Sequence, residues 1–183
     1  MARIHIMGAS GSGTTTLGRM LGERLRIPHL DTDSFFWMPT EPPFTTPRPV
    51  PERLQLIEHA IAGVPSWVLS GSALKWGTPL EPLYDLIVFL RLDPEVRMAR
   101  IRRRESERYG DRILPGGDMA ETSRAFLEWA ASYDTAGPEQ RSLAAHEAWL
   151  AGRETPVLRL DSMLPAEELA EVVLRHPVIG QAS

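Results

Sequence analysis

The chain contains no cysteine, which excludes disulfides, thiolate nucleophiles and zinc sites built on cysteine ligands. It contains a single lysine, Lys75, so every other strong base is an arginine. It also lacks a long apolar run, because the stretch before the first glycines is far shorter than a secretory signal or the roughly 20 residues of a membrane span. We therefore expect a cytosolic protein without membrane attachment.

Neither sign of charge dominates the sequence. Twenty Lys and Arg residues stand against 24 Asp and Glu residues, for a formal net charge of -4 and a pI near 5.8. With no basic patch interleaved with aromatics, nucleic-acid binding is not expected, and an anionic ligand must meet a local cationic site. The 183 residues, 43% hydrophobic and 24% charged, predict one folded globular domain rather than disorder.

A glycine-rich loop follows the first predicted strand, residues 4–7, and precedes a predicted helix over residues 14–25. Its sequence, Gly8-Ala9-Ser10-Gly11-Ser12-Gly13-Thr14-Thr15, matches the P-loop spacing G-x-x-x-x-G-K-[ST] except at the lysine, where Thr14 stands. The backbone N–H groups of such a loop favour phosphate without any side chain. Thr15 keeps the hydroxyl that binds Mg²⁺ beside the phosphates.

The missing lysine calls for another cation. Lys75, just beyond the third predicted strand, is the first candidate, and Arg104 and Arg108 on an arginine-rich predicted helix are the second, because a closing lid would bring them over the phosphates. The alternatives are a solvated surface lysine for Lys75 and a charged solvent face for the helix arginines, above all for Arg97 and Arg102.

Two carboxylates, Asp31 and Asp33, directly follow the second predicted strand, residues 28–31. Alternation along an extended chain predicts both on one side. One would hold Mg²⁺ through water while the other accepts the proton of an attacking hydroxyl. The alternative is that these residues cap a helix or shape a turn.

Aromatic and basic residues follow on what we predict to be the acceptor side. Phe35, Phe36 and Trp37 form either a stacking wall for a flat acceptor or part of the core. Residues 39–51 contain six prolines, which predict an irregular surface loop; Arg48 lies within this loop and Arg53 just after it. Both arginines are candidates for bidentate binding of an anionic acceptor.

Predicted strands and helices alternate along the rest of the chain, which favours a parallel sheet covered on both faces, with ligands outside the carboxyl ends of its strands. The further strands are predicted at residues 67–69, 86–92 and 157–160, and the further helices at 53–61, 95–108, 119–131, 139–150 and 165–174. The glycine loop also suggests an NAD(P)-binding reductase as an alternative, but its spacing is not G-x-G-x-x-G and Gly71, four residues before Lys75, is not the tyrosine such an enzyme needs.

These motifs together resemble the adenylate-kinase-like P-loop kinases. The group includes shikimate, gluconate and nucleoside monophosphate kinases, and the bacterial putative adenylate kinases also called topology modulation proteins. The resemblance rests on residues 8–16, on Asp31-Thr32-Asp33, on Ser70-Gly71-Ser72 and on the arginine-rich helix before a short lid. The sequence departs from the group at Thr14 and in having no Walker-type aspartate after the third strand.

The resemblance implies a P-loop NTPase fold, a three-layer α/β sandwich on a five-stranded parallel sheet in the order 2-3-1-4-5. A single domain would cover residues 1–175, with a flap at about 34–63, a lid at about 104–118 and a tail at 176–183. The implied activity is transfer of the γ-phosphoryl group of ATP, with Mg²⁺, to a nucleoside monophosphate or a metabolite hydroxyl. A nucleotide-binding sensor without catalysis is the alternative from another class.

The resemblance also assigns roles by position. Thr15 and Asp31 would hold the magnesium ion, and Asp33 would take the acceptor's proton. The acceptor would lie against Asp33, Trp37, Arg48, Arg53 and Gly71, and catalytic charge would come from Lys75, Arg104 and Arg108. The phosphates would lie against Gly8, Ala9, Ser10, Gly11, Ser12, Gly13, Thr14, Thr15 and Thr16.

Overall fold

The computed structural model describes residues 2–180. Five strands form one sheet: β1 Arg3–Gly8, β2 His29–Asp31, β3 Trp67–Ser70, β4 Leu86–Arg91 and β5 Val157–Asp161. Their order is β2-β3-β1-β4-β5, as predicted, and β1 runs parallel to both β3 and β4 while β2 runs parallel to β3. The parallel α/β architecture is therefore confirmed.

The helices follow the strands in alternation. They are α1 Thr14–Leu25, α2 Thr32–Phe36, α3 Val50–Ile61, α4 Pro94–Tyr109, α5 Ala120–Ala131, α6 Leu143–Ala151, α7 Ala166–Leu174 and α8 Pro177–Gly180. Short 3₁₀ turns occur at Thr78–Leu83, Gly110–Ile113 and Ser132–Asp134. Among the residues described, none of these helices has the length and apolarity that crossing a membrane requires.

The chain divides into two compact units. The first holds the sheet and comprises residues 2–8, Gly13–Leu90 and residues 154–180, while the second comprises Ala9–Ser12 and Arg91–Arg153. Within the predicted tail, residues 177–180 form α8, and residues 181–183 lie outside the described part of the chain.

The core of the first unit lies between the central strands and two helices. Strands β1, β3 and β4 are buried on both faces, as continuous apolar runs in a parallel sheet should be. One face packs against α1 and α7 through apolar residues at helical spacing, among them Leu17 and Leu21 of α1 and Leu169 and Val173 of α7. This packing fixes α1, and with it the start of the helix at Thr14.

Two helices begin three or four residues away from their predicted starts, and the residues of their first turns explain both. Helix α3 begins at Val50 rather than residue 53, because Pro51 occupies one of the first helical positions, where a proline has no hydrogen bond to lose. Helix α6 begins at Leu143 rather than residue 139, because the Ser142 side chain accepts a hydrogen bond from the backbone N–H of Ala145 and caps it.

Candidate functional site

The glycine loop has the backbone that phosphate binding requires. Gly11 and Gly13 adopt positive φ angles of 80° and 92°, which place successive N–H groups toward a common concavity. The Ser12 side chain is turned inward, and its Oγ donates to the carbonyl of Ala9 at 2.8 Å. The backbone N–H of Ser12 also donates to the Ala9 carbonyl, at 3.1 Å, so the loop is braced by its own residues.

The N-terminus of α1 lacks the side chain that normally satisfies it. Its N-cap is Gly13, which offers no side-chain hydrogen bond, and its first turn carries no acidic residue. The first amides of a helix need partners, and its dipole favours an anion there. Thr14, half-buried, brings no charge to the position of the usual lysine. This 12-residue helix therefore presents a neutral, uncapped amino end to a phosphate.

Thr15 and Asp31 meet beside that helix end. Thr15 Oγ1 donates a hydrogen bond to Asp31 Oδ2 at 2.7 Å. A hydroxyl and a carboxylate oxygen are hard ligands of the kind that Mg²⁺ prefers, and this ion usually takes its remaining ligands from water and substrate phosphates. No cluster of three or more acidic or histidine ligands occurs among residues 2–180, so the fit is to a metal shared with a nucleotide, not to a protein cage.

Asp31 and Asp33 do not lie on an extended chain, so the argument from strand alternation is wrong. Helix α2 starts at Thr32, and Asp31 is its N-cap: Oδ1 of Asp31 accepts from the backbone N–H of Asp33 at 3.0 Å. The capping alternative is correct for Asp31, which still contacts Thr15 through its other oxygen. Asp33 is exposed in the first turn of α2.

Arg53 is the most unusual cation of the first unit. It is 8% exposed, its Cζ lies 3.8 Å from the centroid of the Phe36 ring, and the Trp76 ring lies 5.8 Å away on the turn after β3. Its Nε donates to the carbonyl of Arg48 at 2.6 Å, and burial lowers the pKa of its guanidinium. No carboxylate among residues 2–180 pairs with it.

Arg48 is engaged differently. Its Nε donates to the carbonyl of Phe35 at 3.1 Å and its Nη2 to the carbonyl of Trp37 at 3.2 Å. Its Nη1 lies 4.0 Å from Glu52. The guanidinium therefore braces the main chain of the flap, which leaves Arg53 as the better placed of the two predicted acceptor-binding arginines.

Trp37 lies in the flap's own aromatic cluster. Its ring meets Phe36 and Phe44 edge to face at centroid distances of 4.8 and 6.2 Å. An antiparallel bridge to Pro47 closes the chain around it. The contact between Trp76 and Arg53 was not predicted from the sequence. The only indication in the sequence was that Trp76 directly follows Lys75, a predicted site residue.

Gly71 directly follows β3 and has a φ of 97°. A Cβ atom there would overlap Oγ1 of Thr32 at the start of α2, so glycine is required for the close approach of these two segments. Lys75 follows on an exposed turn and has a φ of 71°, a left-handed conformation that costs energy for a lysine.

The arginines of α4 differ in their surroundings. Arg97 is 1% exposed, so its interpretation as part of a charged solvent face is wrong, whereas Arg102 is exposed as that interpretation required. Arg97 lies on the same buried face of α4 as its apolar residues Met98 and Ile101. Its charge is paired with Asp134, whose Oδ2 lies 2.7 Å from Nη2 of Arg97. Arg104 lies with its Cζ 5.9 Å from the Phe126 ring, and Arg108 with its Cζ 5.9 Å from the Tyr109 ring.

Comparison with known proteins gives the family and the fold of the chain. The sequence model of the AAA domain family AAA_18 matches residues 4–125. Uncharacterized protein YqaC of Bacillus subtilis (strain 168) is 45% identical over 173 residues, which cover 94% of this chain and 96% of that protein. Two solved structures share the fold. A gluconokinase from Sinorhizobium meliloti 1021 has a TM-score of 0.55 and 20% identity over 99% of this chain and 93% of its own. A shikimate kinase from Bacteroides thetaiotaomicron has a TM-score of 0.50 and 18% identity over 94% and 96%.

The sheet order, the glycine loop and these likenesses define a P-loop protein with the fold of the small-molecule kinases. The chain belongs to the AAA domain family AAA_18.

Proposed function

We propose that the protein is an ATP-dependent kinase that phosphorylates the hydroxyl group of a small acceptor carrying one anionic group. The observation that carries this proposal is the hydrogen bond from Thr15 Oγ1 to Asp31 Oδ2 at 2.7 Å, beside a helix end with no capping side chain. This hydrogen bond places two side chains suited to magnesium next to backbone N–H groups suited to phosphate.

The glycine loop and α1 would bind the nucleotide. Backbone N–H groups from Gly8 to Thr16 would surround the phosphates, and Thr15 and Asp31 would hold a magnesium ion. Bound Mg²⁺ would neutralise phosphate charge as the phosphoryl group leaves ADP. Because Thr14 contributes no charge, Lys75, Arg104 and Arg108 are the cations proposed to act on the transferred group.

Asp33 and Arg53 would serve the acceptor. The acceptor's hydroxyl oxygen would form a bond to the γ-phosphorus of ATP. At the same time the bond between the γ-phosphorus and the oxygen that bridges it to the β-phosphate would break. The exposed Asp33 carboxylate would take the hydroxyl proton. Arg53, buried against the rings of Phe36 and Trp76 and without a carboxylate partner in the described part of the chain, would bind the acceptor's anionic group. Trp37 and Gly71 would line the same pocket.

The commitment of Arg48 to backbone carbonyls favours a singly charged acceptor. A nucleoside monophosphate carries a dianionic phosphate, which needs several cationic hydrogen-bond donors. Of the two predicted arginines, Arg48 already donates to backbone carbonyls, so only Arg53 would bind such a group. A hydroxy acid needs one guanidinium and one base, which the site has. The gluconokinase and the shikimate kinase whose structures are compared above bear names of the same kind.

One observation favours a second function, that of a nucleotide-binding sensor. Thr14 removes the lysine that normally stabilises the transferring phosphoryl group, and a transition-state cation is worth about 10³- to 10⁵-fold in rate. A protein that kept only the loop amides and the Thr15–Asp31 pair would bind a nucleotide and turn it over slowly.

Calorimetry with ATP and Mg²⁺, followed by ATP-consumption assays, tests the proposal. The acceptor panel contains hydroxy acids such as gluconate and shikimate, the corresponding neutral polyols, and nucleoside monophosphates. We expect nucleotide binding and turnover stimulated by a hydroxy acid. Binding without stimulation by any acceptor would identify a sensor, and absence of nucleotide binding would contradict both functions.

Arg53→Met tests the acceptor site in the same assay. Methionine keeps apolar volume between Phe36 and Trp76 but removes the charge, so KM for the anionic acceptor should rise roughly 10- to 100-fold, as expected for losing a charge-assisted hydrogen bond. Turnover of a neutral polyol should change little. Arg103→Met, which removes an exposed arginine from α4, is the matched control. An equal loss with charged and neutral acceptors would reject anion binding by Arg53.

A further inference from the structure

Arg97 is a buried cation of the second unit that the proposed reaction does not use. Its Nη2 donates to Asp134 Oδ2 at 2.7 Å and its Nη1 to the carbonyl of Ala130 at 2.9 Å. Its Cζ lies 5.3 Å from the centroid of the Tyr133 ring. The guanidinium therefore joins the first half of α4 to the end of α5 and the turn that follows it.

The same part of α4 lies against the glycine loop. A Cβ atom at Gly11 would lie 2.8 Å from Ile101 Cγ1 and 3.2 Å from the carbonyl oxygen of Arg97. Real Cβ atoms do not tolerate the first distance, so Gly11 lies directly against the Ile101 side chain and close to the Arg97 carbonyl of α4. Because Gly11 is held at a φ of 80°, the position of α4 sets the room available to the loop segment Ala9–Ser12.

Stability alone is a weak reason to keep this ion pair. Nε of Arg97 is buried and has no partner among the described residues. Replacing a buried ion pair by apolar residues of similar volume often leaves the stability of a protein unchanged or raises it. The geometry of an ion pair, by contrast, specifies one arrangement of the groups that it joins. The forked, rigid guanidinium holds two acceptors at once and so fixes the axial position of α4.

We propose that Arg97 is a positioning residue for the phosphate-binding loop. It contacts no ligand itself. By holding α4 against α5 through Ala130 and Asp134, it keeps Ile101 and its own carbonyl in contact with Gly11, and thereby keeps the backbone of Ala9–Ser12 in the conformation that phosphate binding requires. The consequence for nucleotide affinity rests on the proposed function, whereas the effect on the loop backbone does not.

The test separates positioning from stability with a double variant. Arg97→Met alone leaves Asp134 without its partner and should be strongly destabilised. Arg97→Met with Asp134→Leu restores an apolar contact, so its urea midpoint should return close to that of the wild type. Hydrogen exchange of the Ser12 amide, which bonds to the carbonyl of Ala9 at 3.1 Å, reports on the loop without any nucleotide.

In the double variant we expect Ser12 exchange to be at least 10-fold faster and the affinity for ADP with Mg²⁺ to be about 10-fold weaker. The control is Arg103→Gln with Glu107→Gln, which removes an exposed ion pair from the same helix and should change neither quantity. A folded double variant with wild-type Ser12 exchange would overturn the proposal.

Ile101→Ala keeps the proposal testable if the double variant does not fold. It removes the contact on Gly11 while leaving the ion pair intact, and it should accelerate Ser12 exchange to a similar extent; unchanged exchange would overturn the proposal equally. A wild-type protein that binds no ADP would refute the nucleotide-binding function, and Ser12 exchange would still decide the role of Arg97.

Discussion

Thr14 occupies the position at which a P-loop carries its lysine, and this one residue decides where catalytic charge must come from. The amides of the loop and the uncapped start of α1 favour phosphate whatever side chain stands there. Binding and catalysis are therefore expected to depend on different residues in this protein.

Lys75 is the residue on which that separation can be measured. Lys75→Gln removes the charge and keeps the length of the side chain at its left-handed backbone position. If Lys75 acts on the transferred phosphoryl group, kcat should fall by about 10²-fold or more while the affinity for ATP changes much less. Initial-rate kinetics and calorimetry on one preparation give both quantities.

Thr14→Lys is the complementary variant. A rise in kcat would show that the native loop is short of a cation, whereas a loss would show that another residue already fills that place. Equal turnover by Lys75→Gln and the wild type would remove Lys75 from the mechanism and leave Arg104 and Arg108 as the candidates.

At the scale of elements, α1 is placed by how closely it approaches the sheet. A Cβ atom at Gly18 would lie 2.5 Å from His29 Nε2 and 2.9 Å from Ser70 Cβ, and His29 Nε2 lies 2.8 Å from Ser70 Oγ. The helix that carries the glycine loop thus rests directly on the ends of β2 and β3. Glycine within a helix is normally unfavourable, so close packing is the reason for it here.

Gly18→Ala should therefore destabilise the protein, although alanine is the better helix former. Overpacking a core site costs about 1–3 kcal/mol, which exceeds the gain of up to about 1 kcal/mol in helix propensity. Urea unfolding measures the difference. Gly152→Ala is the control, since a Cβ there would make only an ordinary contact, 3.7 Å from the carbonyl of Trp149.

A double-variant cycle locates the cause. His29→Ala removes the nearest atoms, so the cost of Gly18→Ala should shrink in its presence. Full additivity of the two substitutions would contradict a steric conflict between Gly18 and His29.

At the scale of the whole molecule, the sheet encloses a histidine whose ionisation affects global stability. His5 lies in β1, which pairs with both β3 and β4; it stacks on Tyr84 at 4.6 Å, with Nδ1 3.3 Å from the carbonyl of Leu69. Burial lowers its pKa from 6.5 to about 4 despite the opposing effect of that carbonyl. Protonating it in place would put a charge in the core, away from water.

The sign of the pH dependence follows from this shift. Between pH 6.5 and 4 the unfolded chain binds a proton at His5 that the folded chain does not, so stability falls as the pH drops through that window. At roughly 1.4 kcal/mol per pKa unit, the contribution lost is about 3 kcal/mol.

His5→Phe keeps a ring against Tyr84 and removes the titration. Urea unfolding at pH 7 and at pH 4.5 should show a smaller loss of stability in the variant than in the wild type, by about 2–3 kcal/mol. His176→Phe, at a histidine outside the sheet, is the control. A wild-type loss no larger than that of His5→Phe would show that His5 does not control acid stability.

Much of the fold could be predicted because its signals are local. The helix at Thr14–Leu25 follows from Gly13 before it and apolar residues at helical spacing, and β4 follows from a continuous apolar run. Helix α2 escaped prediction, since five residues are too few to show a period, and it changed the geometry of Asp31 and Asp33. Arg97 escaped because its partner, Asp134, is 37 positions away.

The sequence by itself determined the five strands, the longer helices, the glycine loop and the absence of its lysine, because backbone propensities and motif spacing are properties of neighbouring residues. Only the tertiary structure decided that Asp31 meets Thr15, that Arg53 lies between Phe36 and Trp76, and that Arg97 is buried. All three depend on which distant segments the fold brings together, and for Arg53 and Arg97 burial and pairing set what each charge can do.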